Sequence, residues 1–267
     1  MKTYILPIFF LSLSLLIASC QEVIEVDLNE ANPQLVVDGR LDIESGEAEV
    51  RLTRTTSYFS PEQPQPVEDA LVTIQQGGVN IQMAHQDNGV YTAPVIAVDG
   101  QELTLTILDG GTEHSASTVV PVHLIPDSLT TEEFPPNSFF DGGSIVRINF
   151  QDPGGRDDYI RVRLWANGEE YTGSDNIVVE SGELADGQYV DYPVFLDFFE
   201  PGDSITVVLQ SISEATYEYY ITLQDITQNQ GGGNTAAPAN PVSNIQGGAL
   251  GLWDVHHADT LSIVIPE

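Results

Sequence analysis

Apolar and polar residues alternate with a period of two along most of this chain, and clusters of Gly, Pro, Asn and Asp interrupt the alternation at short intervals. A period of two turns one face of a strand to a core and the other to water, so the pattern restricts the chain to β-rich folds. Residues 49–54 alternate in this way, and Leu103, Leu105 and Ile107 share one face of 102–108. Gly77-Gly78, Asp87-Asn88-Gly89 and Asp109-Gly110-Gly111 are turn signals between such runs. Residues 60–66 form a proline-rich loop, because repeated Pro cannot donate to a ladder. About seven short strands between Pro33 and Pro121 predict an immunoglobulin-like β-sandwich over residues 33–122.

Pro121 and Pro126 bracket a boundary, and residues 123–267 read as a second β-rich domain. In 144–151, Val146, Ile148 and Phe150 oppose Arg147, Asn149 and Gln151; in 159–166, Ile160, Val162 and Leu164 oppose Arg161, Arg163 and Trp165. Residues 167–191 are acidic and glycine-containing, which predicts a long loop with weak strands. A strand is expected over 203–210 and a closing strand over 261–265. Between them lies one helix, about 213–229. Ser211 and Glu214 match a capping box, 215–228 lack Gly and Pro, and Gly231-Gly232-Gly233 stop the helix. Two stripes, Tyr217/Tyr220/Ile221/Gln224 and Tyr219/Leu223/Ile226, are expected to pack in a core. The whole is mainly β, two sandwich-like domains with a helix near the end of the second.

The N-terminus carries a different signal. Lys2 precedes an apolar run over 5–17 that is too short to span a bilayer, and the run ends in Ile17-Ala18-Ser19-Cys20. A branched aliphatic, two small residues and a cysteine fit a lipobox. Residues 1–19 are therefore expected to leave as a signal peptide, with lipid placed on Cys20 and residues 20–32 serving as an acidic tether. Cys20 is the only cysteine, so the lipidated chain has no thiol or disulfide and must be held by its core. Beyond residue 19 there are seven arginines, no lysine and forty acids, a formal charge of −33. Such a chain is not expected to bind nucleic acid or to grip anionic lipid with basic residues, so lipid on Cys20 would be its membrane contact.

No nucleophile motif stands out: there is no Gly-x-Ser-x-Gly elbow, and 231–233 lack the lysine of a phosphate loop. His256-His257 with Asp254 and Asp259 is the densest group of metal-ligand types, yet adjacent strand residues face opposite ways and do not share one ion. His85, His114 and His123 have no ligand spacing, and no metal residue is assigned. Asp152, Asp157 and Asp158 lie in a glycine-bearing loop. Oxygen-rich loops suit Ca²⁺, but the spacing is not an EF-hand and a solvated acidic loop is the default reading. Trp165 and Trp253 read as buried anchors before sugar-stacking platforms. The chain is not expected to be an enzyme or to carry a cofactor.

Several short segments, in order, carry a family resemblance: Glu25-Val26-Asp27-Leu28, Leu35-Val36-Val37-Asp38-Gly39, Asn88-Gly89-Val90-Tyr91, Phe150-Gln151-Asp152-Pro153, residues 201–207, and residues 238–251. Together with the lipobox, these resemble the domain-of-unknown-function-4249 family of Bacteroidota outer-membrane lipoproteins. The first domain also resembles carboxypeptidase-regulatory-like sandwiches, which are non-catalytic modules. The resemblance implies a lipid-anchored outer-membrane protein, an accessory to a TonB-dependent receptor, and an export signal at Gln21-Glu22 that directs the chain to the cell exterior. A structural or adhesive surface protein is the alternative, and a hydrolase with an unrecognised site is a third reading. Fold analogy alone does not decide among them.

Overall fold

The computed structural model describes residues 33–56, 63–136, 142–182, 185–228 and 240–267. The leader 1–19, the lipobox Ile17-Ala18-Ser19-Cys20, the tether with Gln21 and Glu22, part of the proline-rich loop and the glycine stop at 231–233 lie outside them.

Eight strands come from the first half: β1 (Leu35–Asp42), β2 (Glu47–Arg54), β3 (Leu71–Gln76), β4 (Val79–Gln82), β5 (Ala84–His85), β6 (Val90–Pro94), β7 (Glu102–Asp109) and β8 (Thr112–Val119). The rest supplies β9 (Pro126–Phe134), β10 (Gly143–Gln151), β11 (Tyr159–Ala166), β12 (Glu169–Glu170), β13 (Val178–Ser181), β14 (Tyr189–Phe199), β15 (Ser204–Ile212), helix α1 (Glu214–Gln228) and β16 (Leu250–Val264). The fold is mainly β, as the alternation requires.

The strands form three sheets. The largest has the order β12-β11-β15-β16-β1-β2-β6-β5, with β13 also on β11; the others are β4-β3-β7-β8 and β14-β10-β9. Two apolar clusters lie between layers. The first joins Val37, Leu41, Val50 and Leu52 to Ile74, Leu103, Leu105 and Ile107, and it also takes in Ile245, Ala249, Trp253 and Val255 from the end of the chain. The second joins Val162, Leu164, Val207 and Leu209 to Val146, Ile148, Phe150 and Val194. Each is a sandwich core of the expected kind, and the large sheet is a layer of both.

β16 makes that sheet continuous. Residues 250–256 pair in parallel with β1, from Val36↔Leu250 to Asp42↔His256. Residues 257–264 pair antiparallel with β15, from Ser211↔His257 to Ser204↔Val264. The strand therefore changes partners between His256 and His257. Its entry is tight: Gly251 has φ +103°, and a Cβ there would stand 1.9 Å from the carbonyl oxygen of Val37. Only glycine meets both demands. Gly39 on β1 leaves room for the Trp253 ring, since a Cβ there would lie 2.9 Å from it.

Some elements differ from the sequence reading. Residues 79–84 read from their composition as one strand, but it is broken at the buried Met83, where the chain leaves the four-stranded sheet (β4) for the large one (β5). The stretch 167–191, read as a long loop with weak strands, holds the short strands β12 and β13, a 3₁₀ turn at Ser174–Asn176 and also the start of β14. The closing strand runs over 250–264 rather than 261–265. The helix is where the sequence placed it, but its cap is Ser213, not Ser211: Ser213 Oγ accepts the amide of Thr216 at 3.2 Å. Ser211 is buried in β15, and its hydroxyl accepts the amide of Leu124 at 2.8 Å. The tyrosine stripes are also not in a core. Thr216 is the buried residue of α1, and the tyrosines lie half-buried against the polar face of the large sheet.

Candidate functional site

The change of partner on β16 organises the polar chemistry. Trp253 and Val255 point into the first core and Ile263 packs on the second; His257 and Asp259 stand between them on that same face. Asp254 and His256 belong to the opposite face. The two adjacent histidines therefore enter separate clusters, as the geometry of a strand demands.

On the outer face is a polar cleft of about 490 Å³. Its walls include Asp38, Arg40 and Asp42 from β1, Arg161 and Arg163 from β11, Gln210 from β15, Asp254 and His256 from β16, and Tyr220 from α1. Asp254 and His256 are both 5% exposed, and His256 Nδ1 lies 2.9 Å from Asp254 Oδ2. Burial alone pushes both towards their neutral forms. Their mutual attraction outweighs it, holding the Asp254 carboxyl below its usual range and the His256 imidazole above its own. Thr216 donates its hydroxyl to Asp254 Oδ1 at 3.1 Å. The sequence of contacts is hydroxyl–carboxylate–imidazole. A nucleophilic triad needs the imidazole in the middle to take the hydroxyl proton, so this group braces the cleft and does not activate Thr216. Arg161 is held over the Tyr220 ring at 4.1 Å and reaches Gln210 at 3.4 Å. The half-buried Tyr220 of α1 thus forms part of a wall of the cleft.

On the inner face, at the seam between the two cores, lies the second cluster. The rings of His123 and His257 stack at 4.3 Å and 8°. Glu44 Oε1 is 2.5 Å from His257 Nδ1 and 3.7 Å from His123 Nδ1. The Nε2 atoms meet other carboxylates: Asp99 at 2.9 Å from His257 and Asp259 at 2.5 Å from His123. The other oxygen of Glu44 accepts the amide of Ala258 at 2.9 Å, and Asp99 accepts the amide of His123 at 3.2 Å. Burial raises the Glu44 carboxyl, but the His257 and Ala258 hydrogen bonds outweigh it and hold the group below its ordinary range. Glu44, His123 and His257 bring one ligand atom each within 4.8 Å of the others. Sequence spacing could not find this group, because Glu44 and His257 are 213 residues apart.

The other candidates are dispersed. His85 stacks obliquely on Tyr91 at 4.9 Å, and His114 is buried in β8. In the acidic loop, Asp152 Oδ1 accepts the amide of Gly187 at 3.1 Å and Asp186 Oδ1 that of Gly155 at 2.5 Å. Arg156 donates to Asp158 at 2.7 Å. One oxygen of each of Asp152, Asp158 and Asp186 is thus held by an amide or a guanidinium. Trp253 is fully buried in the first core, whereas Trp165 lies beneath Arg163 at 4.8 Å. Among the described residues no helix is long and apolar enough to cross a membrane.

A family model described as a domain of unknown function, DUF4249, matches residues 21–261. No curated protein matches the chain.

Proposed function

Because the chain belongs to the DUF4249 family, we propose that it is an outer-membrane lipoprotein that works by binding, as a non-catalytic accessory to a TonB-dependent nutrient-uptake receptor. The observation that carries this reading is the position of Cys20, the chain's only cysteine, directly after an apolar leader and Ile17-Ala18-Ser19. Lipid on that residue tethers a body whose formal charge is −33. The outer cleft suits a binding role: it is open, polar and of mixed sign, and its buried Asp254–His256 pair is arranged for bracing rather than proton transfer. The net charge steers cationic ligands towards the surface and anionic ones away.

The test has three arms. Mass spectrometry of the N-terminal peptide should find Cys20 diacylated and residues 1–19 removed; an intact leader or a free thiol rejects the anchor. Purification from detergent-solubilised membranes should bring down a stoichiometric barrel partner, and its absence rejects the receptor role. Protease treatment of whole cells should digest the chain if it faces outward.

A further inference from the structure

We propose that Glu44, His123 and His257 form a binding site for one divalent transition-metal ion of the zinc type. Two imidazole Nδ1 atoms and a carboxylate oxygen converge within 4.8 Å of one another. Two histidines, a carboxylate and an open fourth position are a donor set that zinc accepts.

The surroundings carry the argument further. Each histidine has its outward Nε2 beside a carboxylate, Asp99 for His257 and Asp259 for His123. Carboxylates at this position accept a hydrogen bond from Nε2–H, which favours the tautomer that presents Nδ1 to an ion. The near-parallel stack of the rings sets both lone pairs on the same side, facing Glu44. His257 Nδ1 shares a hydrogen bond with Glu44 Oε1, and a divalent ion binding between them displaces that proton. A tetrahedral ion with bonds of about 2.0–2.1 Å spaces its ligand atoms about 3.3 Å apart. The Glu44 oxygen, at 2.5 and 3.7 Å from the two nitrogens, needs only a small swing to meet that spacing. Its side chain is 36% exposed, at the turn between β1 and β2, and can pivot about the hydrogen bond that its other oxygen accepts from Ala258.

The four segments involved are the β1–β2 turn, the turn before β7 with Asp99, the linker before β9 with His123, and β16. An ion here pins the linker to the strand that both cores share, so binding should stabilise the whole fold. The net charge raises the local cation concentration but does not distinguish zinc from calcium. The nitrogen ligands do.

The test uses the full-length protein in detergent, stripped with chelator and titrated with ZnCl₂ by calorimetry and thermal melting. One equivalent should bind, and Tm should rise by about 5–10 °C with zinc at one hundred times Kd. Co²⁺ should give the visible bands of a four-coordinate nitrogen–oxygen site. Ca²⁺ and Mg²⁺ at the same concentration should do neither. Glu44→Gln and His123→Ala, both at partly exposed positions, should each weaken zinc at least tenfold with unchanged circular dichroism. Asp259→Asn should weaken it by about 10- to 100-fold, as loss of an orienting carboxylate does. The site is rejected by absence of one-to-one binding, by calcium shifts equal to those of zinc, or by wild-type affinity in both Glu44→Gln and His123→Ala.

Discussion

Asp254 illustrates how a single residue can matter out of proportion to its size. Its carboxylate is buried against His256 and takes the hydroxyl of Thr216, so neither charge is exposed to water. Removing one member of such a pair strands the other, at a cost of about 3–5 kcal/mol. Asp254→Ala should therefore lower unfolding stability by that amount in urea, and Asp254→Ala/His256→Ala together should cost less than the two single changes added. An additive double variant would mean that the pair is not coupled. Gly251→Ala is the backbone counterpart. With φ +103° and a carbonyl 1.9 Å from the new Cβ, alanine must push β16 off β1. The opposite facing of His256 and His257 was legible in the sequence, because strand geometry is local. Their partners were not. Glu44 and Asp99 reach His257 from 213 and 158 residues away, beyond any spacing that a motif could reveal.

Single elements were legible where one of their faces meets water and obscure where both are covered. β11 alternates cleanly, and its Ile160, Val162 and Leu164 are in the second core as read. The first half of β16 has a core on one side and the cleft on the other, so Asp254, His256 and His257 are buried and the hydrophobic contrast disappears. β14 was hidden by Pro193, which is tolerated because the strand lies at the edge of its sheet. The capping box was read two residues early, since Ser211 and Ser213 present the same chemistry and only packing separates them. Ser213→Ala should cost about 1 kcal/mol of stability through loss of the cap. Ser211→Ala leaves the buried amide of Leu124 without its acceptor and should cost about 1–3 kcal/mol. Urea unfolding of the two variants orders these costs, and a larger loss at Ser213 would contradict the assignment. The helix also sets an alkaline limit. Burial pushes the Tyr220 phenol up to about 12, against the opposing pull of Arg161. The unfolded chain releases this proton near pH 10. Because the folded value is raised, the stabilisation is complete below about pH 10 and is lost as pH climbs towards about 12. Melting curves across that window should fall less steeply for Tyr220→Phe than for the natural chain; identical slopes would refute the shift.

At the scale of the whole molecule, the sharing of β16 decides how the protein unfolds. Its first half is paired in one sandwich and its second half in the other, so neither core can open without freeing an end of the same strand. We expect one cooperative transition, with Gly251→Ala in the first half and Val207→Ala in the second core lowering the same Tm. Two separate calorimetric peaks would show that the strand does not couple them. Charge acts at this scale too. Arg40, Arg54, Arg147, Arg156 and Arg163 all pair with acids, yet forty acids against eight basic residues leave carboxylates in large excess over cations. Exposed ion pairs contribute about 0–1 kcal/mol each, and salt weakens them. Salt also screens the far more numerous carboxylate repulsions, whose range shrinks from about 10 Å at 0.1 M to about 3 Å at 1 M. The second effect outnumbers the first, so Tm should rise between 0.1 and 1 M NaCl, a direction that suits a chain exposed to saline surroundings. Sodium chloride is the right probe, because sulfate would raise Tm through surface exclusion alone. A Tm that stays flat or falls with NaCl would mean that the folded body already disperses its charge well enough for repulsion to cost it little.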